Sequence, residues 1–330
     1  MLTPDFWYKK HLTLPAILLW PFSLLFRLGG YLRKEFSTPQ YAPIPTICVG
    51  NLTAGGSGKT PVAISIMQRL SQALPNHTGF FLSRGTKGSM RGPALVDSGG
   101  PASLFGDEPV LLSQFAPTVI SRNRLKGAQF ATQKGADFIV LDDGFQNSTL
   151  APHVNLLVID GEKGYGNLQH IPAGPLRETP QTGLDRADAV LLIGEDSYGV
   201  RTTIPSDIPV FTAQRKLAEP LPDKSLCYTV FCGIAHPNRF FNQCRDLDLI
   251  MVDWVAFPDH HAYTNAELFE LMARARRNRS VLLTTEKDLM RIPHTFRMQH
   301  EIAILKMEIF FDQEDVLISH LAKIVETSHS

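Results

Sequence analysis

The stretch CVGNLTAGGSGKTPV, residues 48–62, constrains the fold of this chain more strongly than any other segment. A short apolar strand runs into a glycine cluster, and a helix-compatible segment opens at Lys59. Glycines in such a loop turn successive backbone N–H groups toward an anion, and the following helix adds its positive N-terminal end. The stretch matches the phosphate-binding pattern G-x-x-x-x-G-K-[ST] except that Thr53 replaces the first glycine. Because the cradle uses backbone N–H groups, this replacement removes no donor.

We therefore predict a nucleotide-phosphate site formed by Thr53, Ala54, Gly55, Gly56, Ser57, Gly58, Lys59 and Thr60. Lys59 would place a cation at the β- and γ-phosphates, and the Thr60 hydroxyl would bind Mg²⁺. The alternative is a glycine-rich turn with a chance GKT. The apolar strand before the loop and the helix-compatible segment after it disfavour that alternative.

A second motif, DFIVLDDGFQ at 137–146, supplies the carboxylates that such a loop needs. Its continuous apolar run is typical of a buried strand, and it ends in Asp142 and Asp143. Gly144 then lets the chain turn away at the carboxyl edge of the sheet, where ligands of α/β proteins bind. Phosphate-loop enzymes hold Mg²⁺ through the loop hydroxyl and an aspartate of this kind. ATP and Mg²⁺ are therefore the predicted cofactors, and the sequence leaves the division of roles between the two aspartates open.

From Pro45 onward, strand-like and helix-like segments alternate, which is the pattern of a layered α/β protein. Strands are predicted at 45–50, 78–83, 117–120, 137–142, 154–160, 187–193 and 208–213, with helices at 58–74 and 123–134. A stretch rich in Asp, Pro and Lys at 216–225 is typical of a linker, and the alternation restarts after it. We predict a nucleotide-binding domain with a P-loop NTPase-type sheet over 37–218 and a smaller C-terminal α/β domain over 219–330.

The first 36 residues differ from the rest of the chain, since KKHLTLPAILLWPFSLLFRLGGYLRK at 9–34 is mostly apolar between basic ends. The uncharged run 12–26 would span about 22 Å as a helix, short of the roughly 30 Å hydrocarbon core, and Pro15 and Pro21 would kink it. Flanking basic and aromatic residues favour a membrane-associated helix over 1–36 in the headgroup layer. A signal peptide is disfavoured because no small-x-small cleavage site follows. A helix docked on the protein's own core stays an open alternative.

Composition and cysteine spacing narrow the class of partners. Lys plus Arg and Asp plus Glu number 32 each, so no overall field favours a nucleic acid, and no nucleic-acid partner is expected. The four cysteines form no C-x-x-C pair and no zinc-ligand spacing. A reducing, cytosolic environment is predicted.

Eight motifs occur in a single order along the chain. They are the glycine loop followed by Pro61, SRG (83–85), GDEP (106–109), LDDGFQ (141–146), GPLRE (174–178), FCGIA (231–235), DH (259–260) and TTEKD (284–288). Together they closely resemble the tetraacyldisaccharide 4'-kinase family, the membrane-associated lipid A kinases of Gram-negative bacteria. The resemblance spans nearly the whole chain, and a threonine at the loop entry is usual in that family. Thr86 and His236 depart from the family pattern, which has an aromatic residue and an asparagine there; each could alter a substrate contact.

The resemblance implies transfer of the ATP γ-phosphate to the 4'-hydroxyl of a tetraacylated glucosamine disaccharide 1-phosphate. It further implies a lipid substrate met at the membrane surface, on the cytoplasmic face of the inner membrane. The N-terminal segment would hold the protein there in a peripheral or monotopic way.

A sugar hydroxyl is a weak nucleophile, so a nearby carboxylate should accept its proton late in the transfer. Asp107 of GDEP is the candidate, with His260 as its orienting or relaying partner and His261 as the alternative histidine. Arg177 and Lys59 complete the catalytic set; Arg177 would spread charge on the transferred phosphate, hold a substrate phosphate, or form only a surface ion pair.

Five residues form the predicted metal set, and they are Thr60, Asp142, Asp143, Gln146 and Glu178. TTEKD shares part of the guanine-reading pattern N-K-x-D but lacks its asparagine, which argues against GTP. Two other classes of function stay open at this point. One is a membrane-associated regulatory ATPase or GTPase that switches a protein partner, and the other is a nucleotide sensor that binds without turnover.

Overall fold

The structure, a computed structural model, describes residues 4–9, 11–55, 58–234 and 237–327. Gly56 and Ser57 of the predicted phosphate loop lie outside the described residues, as does His236. The strands are β1 Gln40–Tyr41, β2 Thr46–Gly50, β3 Gly79–Ser83, β4 Ala94–Leu95, β5 Thr118–Ile120, β6 Phe138–Asp142, β7 Leu150–Ala151, β8 Val154–Asp160, β9 Ala189–Ile193, β10 Val210–Leu217, β11 Cys227–Cys232, β12 Ile250–Ala256, β13 Val281–Thr285, β14 Ile302–Leu305 and β15 Met307–Phe311. The α-helices are α1 Leu14–Glu35, α2 Lys59–Ala73, α3 Ala102–Phe105, α4 Asp107–Leu112, α5 Arg124–Gln133, α6 Pro180–Leu184, α7 Pro237–Asp246, α8 Asn265–Arg277, α9 Glu286–Arg291, α10 His294–Gln299 and α11 Glu314–Thr327. Short 3₁₀ helices cover Asp5–Tyr8 and Val200–Thr203.

The larger sheet has nine strands in the order β15-β10-β9-β8-β2-β6-β3-β5-β4. Its strands are parallel except for the two edge strands, β15 and β4, which pair antiparallel with β10 and β5. Strand β2, which leads into the glycine loop, pairs with β6 and β8. The carboxyl ends of these parallel strands meet at one edge, so the glycine loop and the end of β6 lie side by side. The predicted P-loop type of α/β fold is confirmed.

Both faces of this sheet are buried, because side chains of a strand alternate between its two faces. Ile47 and Val49 of β2 join a core that includes Met67 on α2. Cys48, between them, belongs to the opposite core together with Ala128 on α5. Helices on both faces explain why the strands are continuous apolar runs rather than alternating ones.

The smaller sheet has four parallel strands in the order β12-β11-β13-β14. Helix α7 contributes Phe240 and Phe241 to the core on one face, and α8 contributes Leu268 and Leu271 to the core on the other. Helix α8 begins with a capping box formed by Thr264 and Glu267.

The chain then returns to the larger sheet, which differs from the predicted division at 219–330. Strand β15 pairs with β10 through residues 307–311, and α11 packs its Leu317 and Leu321 into the core that contains α2. The predicted linker at 216–225 is likewise partly strand, since β10 extends to Leu217. Alternation of strands and helices does not show which sheet an edge strand joins, so the sequence assigned this return to the wrong unit.

The N-terminal helix α1 is longer than the run 12–26 suggested. It comprises 22 residues, about 33 Å at 1.5 Å per residue, and it continues through Pro21. Its apolar side chains face outward, with Leu18 and Leu25 each 66% exposed. The alternative of a helix packed on the protein's own core does not fit this exposure. Among the described residues it is one helix that is long and apolar enough to cross a membrane, by length and composition alone.

Candidate active site

The glycine loop connects β2 to α2 and is fixed at both of its described ends. At the entry, Thr53 pairs with Leu176, and the Ala54 N–H donates to the Pro175 carbonyl at 2.7 Å. At the exit, Gly58 has a φ of 86°, a conformation that favours glycine, immediately before Lys59 opens α2. A side chain at Gly58 would also meet the guanidinium of Arg215 at 3.4 Å. The loop is therefore tied to the GPLRE segment, and its described glycines, Gly55 and Gly58, have the positive φ values that an anion cradle uses.

Asp142, the last residue of β6, lies buried beneath the loop. It is 2% exposed, and its Oδ2 accepts a hydrogen bond from the Thr60 hydroxyl at 3.0 Å. Its Oδ1 is buried and has no hydrogen-bond partner among the described residues. Burial, with added repulsion from Glu108 and Asp143, raises the pKa of Asp142 to about 7. An unpartnered carboxylate oxygen beside a threonine hydroxyl is a donor set that fits a hard divalent cation.

Asp143 has the opposite electrostatic environment although it is the next residue. Arg177 Nη1 lies 2.9 and 3.1 Å from its two carboxylate oxygens, and Lys59 Nζ lies 3.6 Å from Oδ1. Burial alone would raise the pKa of Asp143, but the charges of Lys59 and Arg177 outweigh it and lower the pKa. The two neighbouring aspartates are thus distinguished: Asp142 is short of cations and Asp143 is already paired.

Gln146 and Glu178, the other predicted metal ligands, lie in a hydrogen-bonded chain around Arg177. Gln146 Oε1 accepts from Arg177 at 2.9 Å, and Gln146 Nε2 donates to Glu178 Oε1 at 2.9 Å. Glu178 also forms an ion pair with Arg186, a residue that the sequence did not single out. These contacts give both side chains partners other than a metal, and they argue against the alternative of a simple surface ion pair at Arg177. Direct metal binding by Gln146 and Glu178 stays a prediction.

No three described His, Cys, Asp or Glu side chains are grouped as a metal centre by themselves. Mg²⁺ is commonly held by one or two carboxylates and completes its shell with phosphate oxygens and water. Thr60 and Asp142 are the residues best suited to that arrangement.

Asp107 and His260 are brought together from opposite parts of the chain. Asp107 begins α4, and His260 lies in the loop after β12, with its Nδ1 2.7 Å from Asp107 Oδ2. The neighbouring His261 is turned away, since its Nε2 contacts Glu267 at 3.0 Å and its ring stacks on Phe257. Of the two candidate histidines, the structure places His260 at the carboxylate.

The family model for tetraacyldisaccharide-1-P 4'-kinase, LpxK, matches residues 15–326. The chain belongs to this family.

Relatives and a solved structure agree with that assignment. Tetraacyldisaccharide 4'-kinase of Rhodospirillum centenum is 41% identical over 333 residues, covering 98% of this chain and 97% of the relative. The enzyme of the same name from Parvibaculum lavamentivorans is 40% identical over 302 residues, covering 89% and 87%. The crystal structure of LpxK from Aquifex aeolicus in complex with ATP superposes with a TM-score of 0.74 at 26% identity, covering 94% of this chain and 99% of that one. The predicted family resemblance is confirmed.

Sequence reasoning missed one residue that contacts Asp107, and this residue is Arg291. Its side chain is 3% exposed, and its Nε donates to Asp107 Oδ2 at 2.8 Å. Burial of Asp107 would raise its pKa, but the hydrogen bond from His260 and the charge of Arg291 lower the pKa to about 2. The only signal in the sequence is the position of Arg291 three residues after TTEKD, on the helix that this motif begins.

Two arginines, Arg84 and Arg124, lie at the same edge of the sheet, after β3 and β5. Arg124, which opens α5 after β5, is 4% exposed, and its Nε has no hydrogen-bond partner among the described residues. Burial and the nearby charge of Arg84 lower the pKa of Arg124 to about 10, while Asp142 and Asp143 act in the opposite sense. Arg84 itself follows β3 and is exposed.

Proposed function

We propose that this chain transfers the γ-phosphate of ATP to the 4'-hydroxyl of a tetraacyldisaccharide 1-phosphate. Family membership over residues 15–326 and the names of the relatives support this activity. The observation that carries it is the pairing of Asp107 with His260 across the two sheets. A regulatory ATPase needs no group to take a proton from an alcohol, whereas a kinase with a sugar acceptor does.

Three groups of residues contribute to the binding and transfer of the phosphate. The loop backbone and Lys59 bind the β- and γ-phosphates of ATP. Thr60 and Asp142 would hold Mg²⁺, which when bound neutralises charge on those phosphates. Arg177, 26% exposed and bound to Asp143, orients that carboxylate against Lys59.

Asp107 and His260 act on the hydroxyl group that accepts the phosphate. The 4'-oxygen of the sugar bonds to the γ-phosphorus, the bond from that phosphorus to the β–γ bridging oxygen breaks, and ADP leaves. The hydroxyl proton passes to the Asp107–His260 pair. Glu108, the residue after Asp107, helps to raise the pKa of Asp142. The Asp107–His260 pair therefore lies near the carboxylate that would hold Mg²⁺.

The N-terminal helix supports a membrane location for the lipid substrate. We place the outward apolar face of α1 in the headgroup layer on the cytoplasmic side of the inner membrane, in a peripheral or monotopic way. Helix α1 is held against the protein by Ser23, 3% exposed, whose hydroxyl donates to the His170 carbonyl at 2.8 Å. The loop that carries His170 continues to Arg177, so the membrane helix lies beside a segment that leads into the active site.

The test is incubation of the full chain with ATP, Mg²⁺ and tetraacyldisaccharide 1-phosphate dispersed in detergent. A product heavier by one phosphate, detected by mass spectrometry, is expected, together with one ADP per product molecule. The same lipid already phosphorylated at the 4'-position serves as the matched control and should give no ADP above background. ATP hydrolysis that is independent of the lipid, with no phosphorylated product, would instead support a regulatory ATPase.

A further inference from the structure

Arg291 is a buried cation that joins the two sheets at the acceptor side of the site. It ends α9, in the unit built on the smaller sheet. Its Nη1 donates to the Gly233 carbonyl at 2.8 Å and to Asp288 Oδ1 at 2.9 Å. Its Nε donates across to Asp107 Oδ2 at 2.8 Å. The guanidinium therefore makes one hydrogen bond shorter than 3.0 Å to the unit of the larger sheet and two within its own.

The anchoring of Arg291 within its own unit is rigid. Asp288 is fully buried, and it also accepts hydrogen bonds from the Gly233 N–H and the Tyr263 hydroxyl, each at 2.9 Å. Gly233 in turn accepts the N–H of His260 at 2.9 Å through its carbonyl. One network thus fixes both the guanidinium and the backbone of the histidine. A buried charge persists only when it is paired and hydrogen-bonded in this way.

The two carboxylate oxygens of Asp107 have different hydrogen-bond partners. Oδ2 accepts the hydrogen bond from Arg291 Nε and also forms the hydrogen bond with His260 Nδ1. Oδ1 makes no hydrogen bond within the described part of the chain. Arg291 Nη2 also lies 3.3 Å from His260 Nδ1, and since it can only donate, this longer contact is no hydrogen bond when Nδ1 carries a proton. The shorter contact of 2.7 Å with the ionised Asp107 carboxylate calls for that proton on Nδ1, which leaves Nε2 as the basic nitrogen of the ring.

We propose that Arg291 is a positioning residue that holds Asp107 and His260 in one geometry across the two sheets and fixes the tautomer of His260. This inference rests on the proposed function. Arginine suits the task because its planar fork reaches two acceptors on different elements at once. A lysine would retain the charge without the fork. The motif TTEKD contributes through Asp288, which orients Arg291 rather than a nucleotide base.

The experiment compares wild type, Arg291→Gln and Arg291→Lys as full chains in the lipid phosphorylation assay, each with its melting temperature measured. Arg291→Gln should lower kcat by about 10²-fold, as expected for a misplaced catalytic group, with the KM for ATP nearly unchanged. Arg291→Lys should fall between Arg291→Gln and wild type. Added to Asp107→Ala, Arg291→Gln should cost little more, because groups that act as one unit are non-additive.

The pH–rate profile separates positioning from a merely structural role. Charged groups near Asp107 are His260, Arg291, Lys87, Glu108 and Asp259. The charge and hydrogen bond of Arg291 lower the pKa of Asp107, so its removal raises that pKa. The ionised carboxylate is then lost at a higher pH, and the acidic limb of kcat should move upward in Arg291→Gln.

The matched control is Lys287→Gln on the same helix, where Lys287 is 40% exposed and pairs with Glu108 at 3.7 Å. It should keep kcat within about twofold, as surface substitutions usually do. A folded Arg291→Gln with wild-type kcat and an unmoved acidic limb would overturn the inference, as would losses that add to those of Asp107→Ala. If Arg291→Gln does not fold, Arg291→Lys decides by the same criteria. An inactive wild type would instead refute the proposed function itself.

Discussion

Replacing Asp142 by asparagine is expected to stabilise the ligand-free protein at pH 8, whereas the same change at Asp143 is expected to destabilise it. The reason is the different environment of the two carboxylates. Asp142 is buried beside a single threonine hydroxyl, so its ionised form is costly. Asp143 is paired with Lys59 and Arg177, and its removal leaves both cations without this partner. The same substitution at these two adjacent positions is thus expected to change the stability of the protein in opposite directions.

The magnitude for Asp142 follows from its pKa, which burial raises from 3.8 to about 7. A difference of about three in pKa, at 1.36 kcal/mol each, corresponds to at most about 4 kcal/mol of destabilisation by the ionised carboxylate. The folded state binds the proton more tightly than the unfolded chain, so wild-type stability falls as the pH rises from about 4 to about 7. Above about pH 7 the ionised Asp142 carboxylate destabilises the folded protein by this full amount. An increase in melting temperature on the order of 5 °C is expected for Asp142→Asn at pH 8.

Thermal unfolding in EDTA between pH 5.5 and pH 8.5 measures this difference directly. The gap between Asp142→Asn and wild type should narrow toward pH 5.5, while Asp143→Asn should melt below wild type at pH 8. Addition of ATP and Mg²⁺ should raise the melting temperature of wild type by mass action, and that of Asp142→Asn by less. An Asp142→Asn protein that melts at or below wild type at pH 8 would refute the electrostatic argument.

Three further outcomes are expected. Lys59→Ala should lower lipid phosphorylation by at least about 10²-fold, as for loss of one preorganised donor, and near-normal turnover by the folded variant would contradict the phosphate cradle. Asp107→Ala and His260→Ala should each cost about 10²–10⁴-fold in kcat, the double variant much less than their sum, and His261→Ala little; a severe His261→Ala with a mild His260→Ala would reverse the choice of histidine. Leu18→Asp, on the outward face of α1, should reduce sedimentation with anionic vesicles and activity on bilayer lipid while ATP binding persists, and full sedimentation would count against the membrane role of this face.

The sequence was sufficient where a local pattern determines the structure. The apolar run and glycine loop predicted a strand at 45–50 and a helix at 58–74, and the structure has them at Thr46–Gly50 and Lys59–Ala73. Both elements are determined by residues close together in the chain, through the apolar run of the strand, the conformations open to glycine and the start of the helix. The N-terminal helix was predicted within 1–36, and the structure has it at Leu14–Glu35 without a break at Pro21. A proline removes one backbone hydrogen bond, and the surrounding apolar run is long enough for α1 to continue past Pro21.

Contacts between distant segments could not be predicted in the same way. The antiparallel pairing of β15 with β10 joins distant residues, such as Ala213 with Phe311 and Leu217 with Met307. The sequence of a strand does not identify the strand with which it pairs. Arg291 was missed because it lies on a six-residue helix and its burial at a carboxylate is invisible to hydropathy. Asp107 and His260 were proposed as a pair only through the family resemblance, since 153 residues separate them.

The N-terminal segment contacts the loop that leads to the catalytic residues. Trp7 Nε1 donates to the Pro172 carbonyl at 3.0 Å, and the Ala173 N–H donates to the Ser23 hydroxyl at 3.2 Å. Two residues beyond Ala173, the Pro175 carbonyl accepts the Ala54 N–H of the phosphate loop, and Arg177 then reaches Asp143. Because each contact supports the next, movement of α1 against the protein would be transmitted to the phosphate loop and to Arg177. If α1 lies at a membrane surface as proposed above, its immobilisation there would also restrain the phosphate loop and Arg177.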